Sequence, residues 1–236
     1  MFLLSPANCS GTRAKQVLSP RARFALAEAL RSPTGAPLGD VFAFISGLYF
    51  RGKLAYACRF AHPPELSDAD NFNDSIGRRG VLVITPNAGL RSPDTRVTHA
   101  AVRAFARHDI DASNATYRRP LEAGARALLA EIGDDCDVVL LGSIASPKYV
   151  DVLIGIFGDR LRFPTEFVGR GDMSRGGLLL RHAEAGVELA YAAVAGATLH
   201  GKRPPRLAPL PRRPASATSL VGPISGPISP VLRRPL

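Results

Sequence analysis

No apolar run in this 236-residue chain approaches the roughly 18 residues needed to cross a bilayer; Val81-Leu82-Val83-Ile84 is typical of what it offers. A membrane partner is therefore not expected. Cysteine is scarce: Cys9, Cys58 and Cys136 are odd in number and far apart, which excludes a disulfide scaffold and the close pairs of a zinc site. Free thiols, no metal and no cofactor are the expectation. Residues Met1 to Pro6 show no basic stretch ahead of an apolar h-region, so no secretion signal and a cytoplasmic location are expected. With 46% hydrophobic, 7% aromatic and 21% charged residues, what remains is the composition of an ordinary globular protein.

Acidic residues are missing altogether from residues 201–236, which hold one Lys, six Arg and nine of the 20 prolines. Of the formal net charge of +10, only +3 therefore belongs to residues 1–200. A proline-rich cationic stretch without aromatics cannot bury enough surface to offset the entropy of ordering, so 201–236 reads as a disordered, partly polyproline-II tail. It can attract phosphate backbones by counterion release. The bias towards Arg (26, against four Lys) and towards Ala, Gly and Pro also fits GC-rich codon usage without function.

Residues 1–200 suffice for one α/β domain. Phe2-Leu3-Leu4 reads as a buried strand and Ser19-Pro20 as the start of a helix to about Arg31. Val41 to Ile45 reads as a second strand, running into Gly47 and a helix with Phe50, Leu54, Cys58 and Ala61 inward. Residues 62–80 read as a surface loop. Val81 to Thr85 is a clear strand, followed by a turn, a loop and a helix from about Thr95. A further helix is expected from Pro120, a strand at Val138 to Leu141 and a helix from Pro147 capped by Ser146. A strand broken at Pro164, a short helix over Ser174 to Ala183 and a last strand over Val187 to Val194 complete the reading. Apolar strands alternating with amphipathic helices predict an α/β fold, three-layer αβα with a mainly parallel sheet.

Right-handed crossovers place the turns after parallel strands on one rim, where open α/β sheets bind ligands. Four turns are expected there: Ser5 to Asn8, Ser46 to Tyr49, Pro86 to Gly89 and Gly142 to Tyr149. Their small and hydroxyl-bearing residues let backbone amides approach an anion or a base edge. Asn8, Ser46, Tyr49, Asn87, Gly142, Ser143 and Lys148 are the candidate ligand-binding residues, although such residues also suit turns for their own sake. In Phe167 to Arg181, glycines flank Arg170, Asp172 or Ser174 can cap a helix, and Arg170 with Arg175 offers bidentate donors. Arg170, Asp172, Ser174 and Arg175 are thus candidate phosphate-binding residues. The alternative is a Gly-rich capped turn whose arginines are solvated or paired with Asp172.

Recognised catalytic signatures are few. There is no Walker A ending, no dinucleotide fingerprint and no Gly-x-Ser-x-Gly elbow. His62, His99, His108, His182 and His200 lack metal-ligand spacing, and Asp134, Asp135 and Asp137 precede a strand and so fall on the opposite rim.

Three ordered blocks carry a resemblance: Tyr49 to Ala57, Val83 to Asp94, and Val138 to Ser143 with Tyr149 downstream. Together they resemble uncharacterised bacterial domains related to the middle domain of archaeosine synthase, which are similar in fold to uracil-DNA glycosylase. The opening strand with Leu4-Ser5-Pro6-Ala7 is similar to that of DNA-binding peroxide-stress proteins. The resemblance implies a three-layer αβα domain handling nucleic acid or a modified base. It does not carry over the chemistry, because Ser5-Pro6-Ala7-Asn8 stands where the water-activating aspartate is expected and Ile144-Ala145-Ser146-Pro147 lacks the histidine. Asn8 or Asn87 can read a base edge, and Tyr49 or Phe50 can stack on a flipped base.

Three readings follow. The first is a nucleic-acid- or nucleotide-binding α/β domain, with action on a base as its extension. The second is a small-molecule transferase or hydrolase with an anionic substrate. The third is a non-enzymatic interaction protein binding through its tail.

Overall fold

The computed structural model describes residues 1–63, 80–145, 147–199, 201–205 and 207. Most of the expected surface loop (64–79), the Ser146 cap and nearly all of the basic tail lie outside the described residues. The three strands that are buried at every position, Phe2–Leu4, Val81–Thr85 and Val138–Leu141, form the middle of the sheet. β1 (Phe2–Leu4) is followed by the short helices α1 (Thr12–Val17) and α2 (Ala25–Arg31), then β2 (Ala36–Pro37), α3 (Leu38–Ser46) and α4 (Leu48–Phe60). Next come β3 (Val81–Thr85), β4 (Gly89–Arg91), β5 (Arg96–Val97), α5 (His99–Phe105) and α6 (Ala115–Glu131). The chain continues through β6 (Val138–Leu141), α7 (Pro147–Phe157), β7 (Leu161–Pro164), α8 (Asp172–Ala185) and β8 (Tyr191–Ala193).

The fold is α/β. Six strands form one sheet in the order β4-β3-β1-β6-β7-β8, in which β3, β1, β6 and β7 run parallel while β4 and β8 are antiparallel edges. β2 and β5 make a separate two-stranded ribbon. Phe2 pairs with Val81 and Val139, and Leu4 with Val83 and Leu141, so β1 ends level with both neighbours. α4 packs on α3 and α8, and α6 packs on α7. Right-handed crossovers from β1 to β3 and from β3 to β6 proceed in opposite directions along the sheet and put these two groups on opposite faces. Helices on both faces explain why β1, β3 and β6 are buried at every position.

Several expectations of element type or extent are corrected: the helix expected from Ser19-Pro20 begins at Ala25, the one expected from about Thr95 begins at His99 after the short strand β5, and the last strand is confined to Tyr191–Ala193. Val41 to Ile45 is helical, within α3, because Leu38, Val41, Phe42 and Ile45 recur at i, i+3, i+4 and i+7 and are the large side chains that α3 buries. The unbroken run Val41-Phe42-Ala43-Phe44-Ile45 hides that period. α4 exists, but its inward stripe is Tyr49, Phe50, Lys53, Tyr56 and Ala57, whereas Cys58 is exposed. The turn after β3 closes a hairpin with β4, held by Thr85 Oγ1, which donates to the Gly89 carbonyl at 2.8 Å. α6 begins five residues before Pro120, where the Asn114 side chain accepts from the Thr116 amide at 3.0 Å.

Candidate functional site

The parallel strands β1 and β6 release Ser5 and Gly142 side by side, and the Ser5 amide still donates to the Leu141 carbonyl at 3.2 Å. Glycine at 142 is a steric requirement: a Cβ there would stand 2.8 Å from the Tyr149 hydroxyl and 2.9 Å from Ser5 Cβ. That space is taken by Tyr149 from α7. Its hydroxyl accepts from the Ser143 amide at 3.0 Å, donates to the Ser143 carbonyl at 3.1 Å, and meets the Ser5 hydroxyl. Burial raises the Tyr149 pKa, and its contacts with Ser5 and Ser143 oppose that rise.

Against the other side of Ser5 lies Lys53. Its Nζ donates to the Ser5 carbonyl at 2.7 Å and stands 2.8 Å from Ser5 Oγ. It lies 4.5 Å from the centre of the Tyr49 ring and 4.8 Å from that of Phe50. Lys53 is 1% exposed and Ser5 6%, so the amine sits behind the hydroxyl, sealed by two aromatic rings. Desolvation drives its pKa down to about 7, with the field of Asp172 acting the other way. No carboxylate forms an ion pair with it among the described residues. As an ammonium it donates twice to Ser5 and turns its third N–H to an aromatic face. As a neutral amine it can donate to the Ser5 carbonyl and accept from Ser5 Oγ. Both protonation states are therefore satisfied by the same geometry.

The loop before α8 completes the site. Arg175 Nε and Nη2 donate to the Phe167 carbonyl at 3.2 and 3.1 Å, Nη1 lies 3.5 Å from Asp172 Oδ1, and the guanidinium stacks over the Phe167 ring at 5.4 Å. Arg175 is only 12% exposed at its side chain. Its charge lies beside the Tyr49 hydroxyl, which is buried and makes no hydrogen bond of good geometry. Burial pushes the Tyr49 phenol well above its usual pKa, with Arg175 opposing. Close contact between Gly52 and Gly176, each next to a site residue, is what lets α4 and α8 present Lys53 and Arg175 to the same edge.

No family model, curated protein or solved structure matches this chain.

Of the candidate residues, Gly142 lies against Ser5, Ser143 and Tyr49 are joined to it through Tyr149 and Lys53, and Asp172 and Arg175 act on these groups through their charges. The others are placed differently. Asn8 is exposed, and its Oδ1 accepts from the Ser10 amide and hydroxyl at 3.0 and 2.8 Å. Asn87 is half-buried in the β3–β4 hairpin turn, and Lys148 is exposed on the first turn of α7. Ser46 ends a helix instead of a strand, next to Gly47 and the Arg13 guanidinium. Arg170 is held locally, Nε donating to the Glu166 carbonyl at 3.0 Å and Nη1 to Ser174 Oγ at 3.3 Å. Neither Asp172 nor Ser174 caps α8, whose N-cap is Gly171, because both lie within the helix. Lys53 was missed. The signal available was a lysine four residues after Tyr49 and three after Phe50, on the stripe that α4 buries.

Proposed function

We propose that this chain is a nucleic-acid- or nucleotide-binding α/β domain that receives its ligand at the carboxyl edge of the parallel sheet. The observation that carries the reading is an open groove of about 510 Å³ between α1 and α5, lined by Lys15, Arg103 and Arg107. None of these three forms an ion pair with a described residue. α1 follows the turn that leaves Ser5, and the groove lies at its C-terminal end, lined also by Leu18, Ser19 and Pro20. Cations left without acids suit a polyanion, whose condensed counterions they displace. The mostly parallel sheet flanked by helices is the general three-layer architecture that the resemblance to uracil-DNA-glycosylase-like domains implies. Base excision is not part of the proposal, because Ser5 and Asn8 occupy the place where that chemistry needs an aspartate.

The test is fluorescence anisotropy of the full chain with single-stranded DNA and RNA oligonucleotides across a salt series. Replacing Lys15, Arg103 and Arg107 together with Ala is expected to weaken binding and to flatten the logarithmic salt slope by up to about three. An unchanged slope, with binding lost only when the seven tail cations are neutralised, would transfer the function to the tail.

A further inference from the structure

We infer that Ser5 and Lys53 are a nucleophile and its general base, and that the site they form hydrolyses carboxylic esters. The inference goes beyond ligand binding and stands independently of the groove between α1 and α5. Its basis is geometric. A hydroxyl just past a strand end, in a residue that is buried at 6% exposure, has an amine 2.8 Å away, and that amine is closed off from water by Tyr49 and Phe50. The same amine is fixed by its second bond, 2.7 Å to the Ser5 carbonyl, so its lone pair when neutral has one place to point. A buried lysine of this kind activates serine where no histidine is at hand. The depressed lysine pKa of about 7 means that a substantial fraction is neutral at physiological pH.

The step balances without any added oxidant or cofactor. Ser5 Oγ attacks the ester carbonyl carbon while its proton passes to Lys53 Nζ. The tetrahedral adduct collapses, the bond to the alcohol oxygen breaks, and Lys53 returns the proton to that alkoxide. Water then attacks the acyl carbon and gives a proton to Lys53, the Ser5 Oγ–carbon bond breaks, and Lys53 returns that proton to Ser5 Oγ, releasing the carboxylic acid and regenerating the serine hydroxyl and the neutral amine. Arg175, whose charge acts on both Tyr49 and Tyr149, supplies the positive field that favours the developing oxyanion. The titratable and charged groups around Lys53 are Tyr49 on its own helix, Tyr149 from α7, and Asp172 and Arg175 from α8. Of these, the acid that favours the ammonium form is Asp172.

The experiment treats the full chain with p-nitrophenyl acetate, following nitrophenol release and locating the acetyl group by peptide mass mapping. The expected result is an acetyl adduct on Ser5 and turnover that rises through pH 7, with Ser5→Ala and Lys53→Arg each lowering the rate by about 100-fold or more. Ser5→Ala keeps the carbonyl that holds Lys53, so a folded but inactive Ser5→Ala protein isolates the hydroxyl. Wild-type acetylation confined to other residues, or a Ser5→Ala rate equal to wild type, overturns the inference. Oligonucleotide binding by the same samples reports separately on the binding proposal.

Discussion

Gly52 of α4 and Gly176 of α8 meet backbone to backbone. A Cβ on Gly52 would stand 2.5 Å from the Gly176 carbonyl oxygen, and one on Gly176 would stand 2.7 Å from the Tyr49 Cα. Neither obstacle is a flexible side chain, so the helices must separate to admit a methyl group. Gly52→Ala and Gly176→Ala are each expected to cost about 1–3 kcal/mol, read from urea denaturation midpoints. Because Lys53 and Arg175 adjoin these glycines, both variants should also weaken any ligand bound at the sheet edge.

Stability should pass through a maximum at mildly alkaline pH. Lys53 has a folded pKa of about 7 against an ordinary 10.5, so between those values the unfolded chain binds the extra proton. Folding therefore becomes more favourable as pH rises from 7, by on the order of a few kcal/mol over the whole window. Burial raises all five tyrosines above their usual 10.0 and pushes Cys9 from 9.0 to about 12, so above about pH 9–10 the unfolded chain loses protons first and stability falls. Denaturant titrations at a series of pH values check both limbs. Lys53→Met should flatten the rising limb and leave the falling one.

The three thiols should differ sharply in reactivity. Cys58 is exposed, Cys136 is half-buried, and Cys9 is buried with its thiol held protonated. At pH 8 an aromatic disulfide reagent is expected to modify Cys58 fast and Cys9 only on unfolding, as mass mapping of a time course would show. Rapid labelling of Cys9 would mean that the turn after β1 opens readily.

Tyr149→Phe removes the one acceptor given to the Ser143 amide and the hydroxyl that faces Ser5. A loss of about 1–2 kcal/mol is expected, together with a changed environment for Ser5. Thermal melts give the first. Under the hydrolysis proposed above, p-nitrophenyl acetate turnover gives the second.

How much of this was legible beforehand differs from element to element. Phe2–Leu4, Val81–Thr85 and Val138–Leu141 announce themselves because a strand buried on both faces has nothing but apolar residues to show. The inward faces of α6 and α7 follow from their helical period, with Leu121, Ala125 and Leu128 in one and Val150, Leu153 and Phe157 in the other. The arginine-bearing turn before α8 was visible from its glycines. α3 was misread because five consecutive apolar residues satisfy a strand and a helix equally well over so short a stretch.

Sequence by itself thus determined the layered α/β plan, since burial pattern and period are local properties. It also named Gly142, which lies beside Ser5, but it grouped with it Asn8, Ser46, Asn87 and Lys148, which the fold holds elsewhere. Only the tertiary structure decided that Lys53 turns inward to Ser5, 48 positions away. Charge on a lysine favours solvent, and that preference is overruled here by helix packing. Two glycines let α4 and α8 approach until the amine has nowhere else to go, and the end of β1 supplies the oxygens that satisfy it.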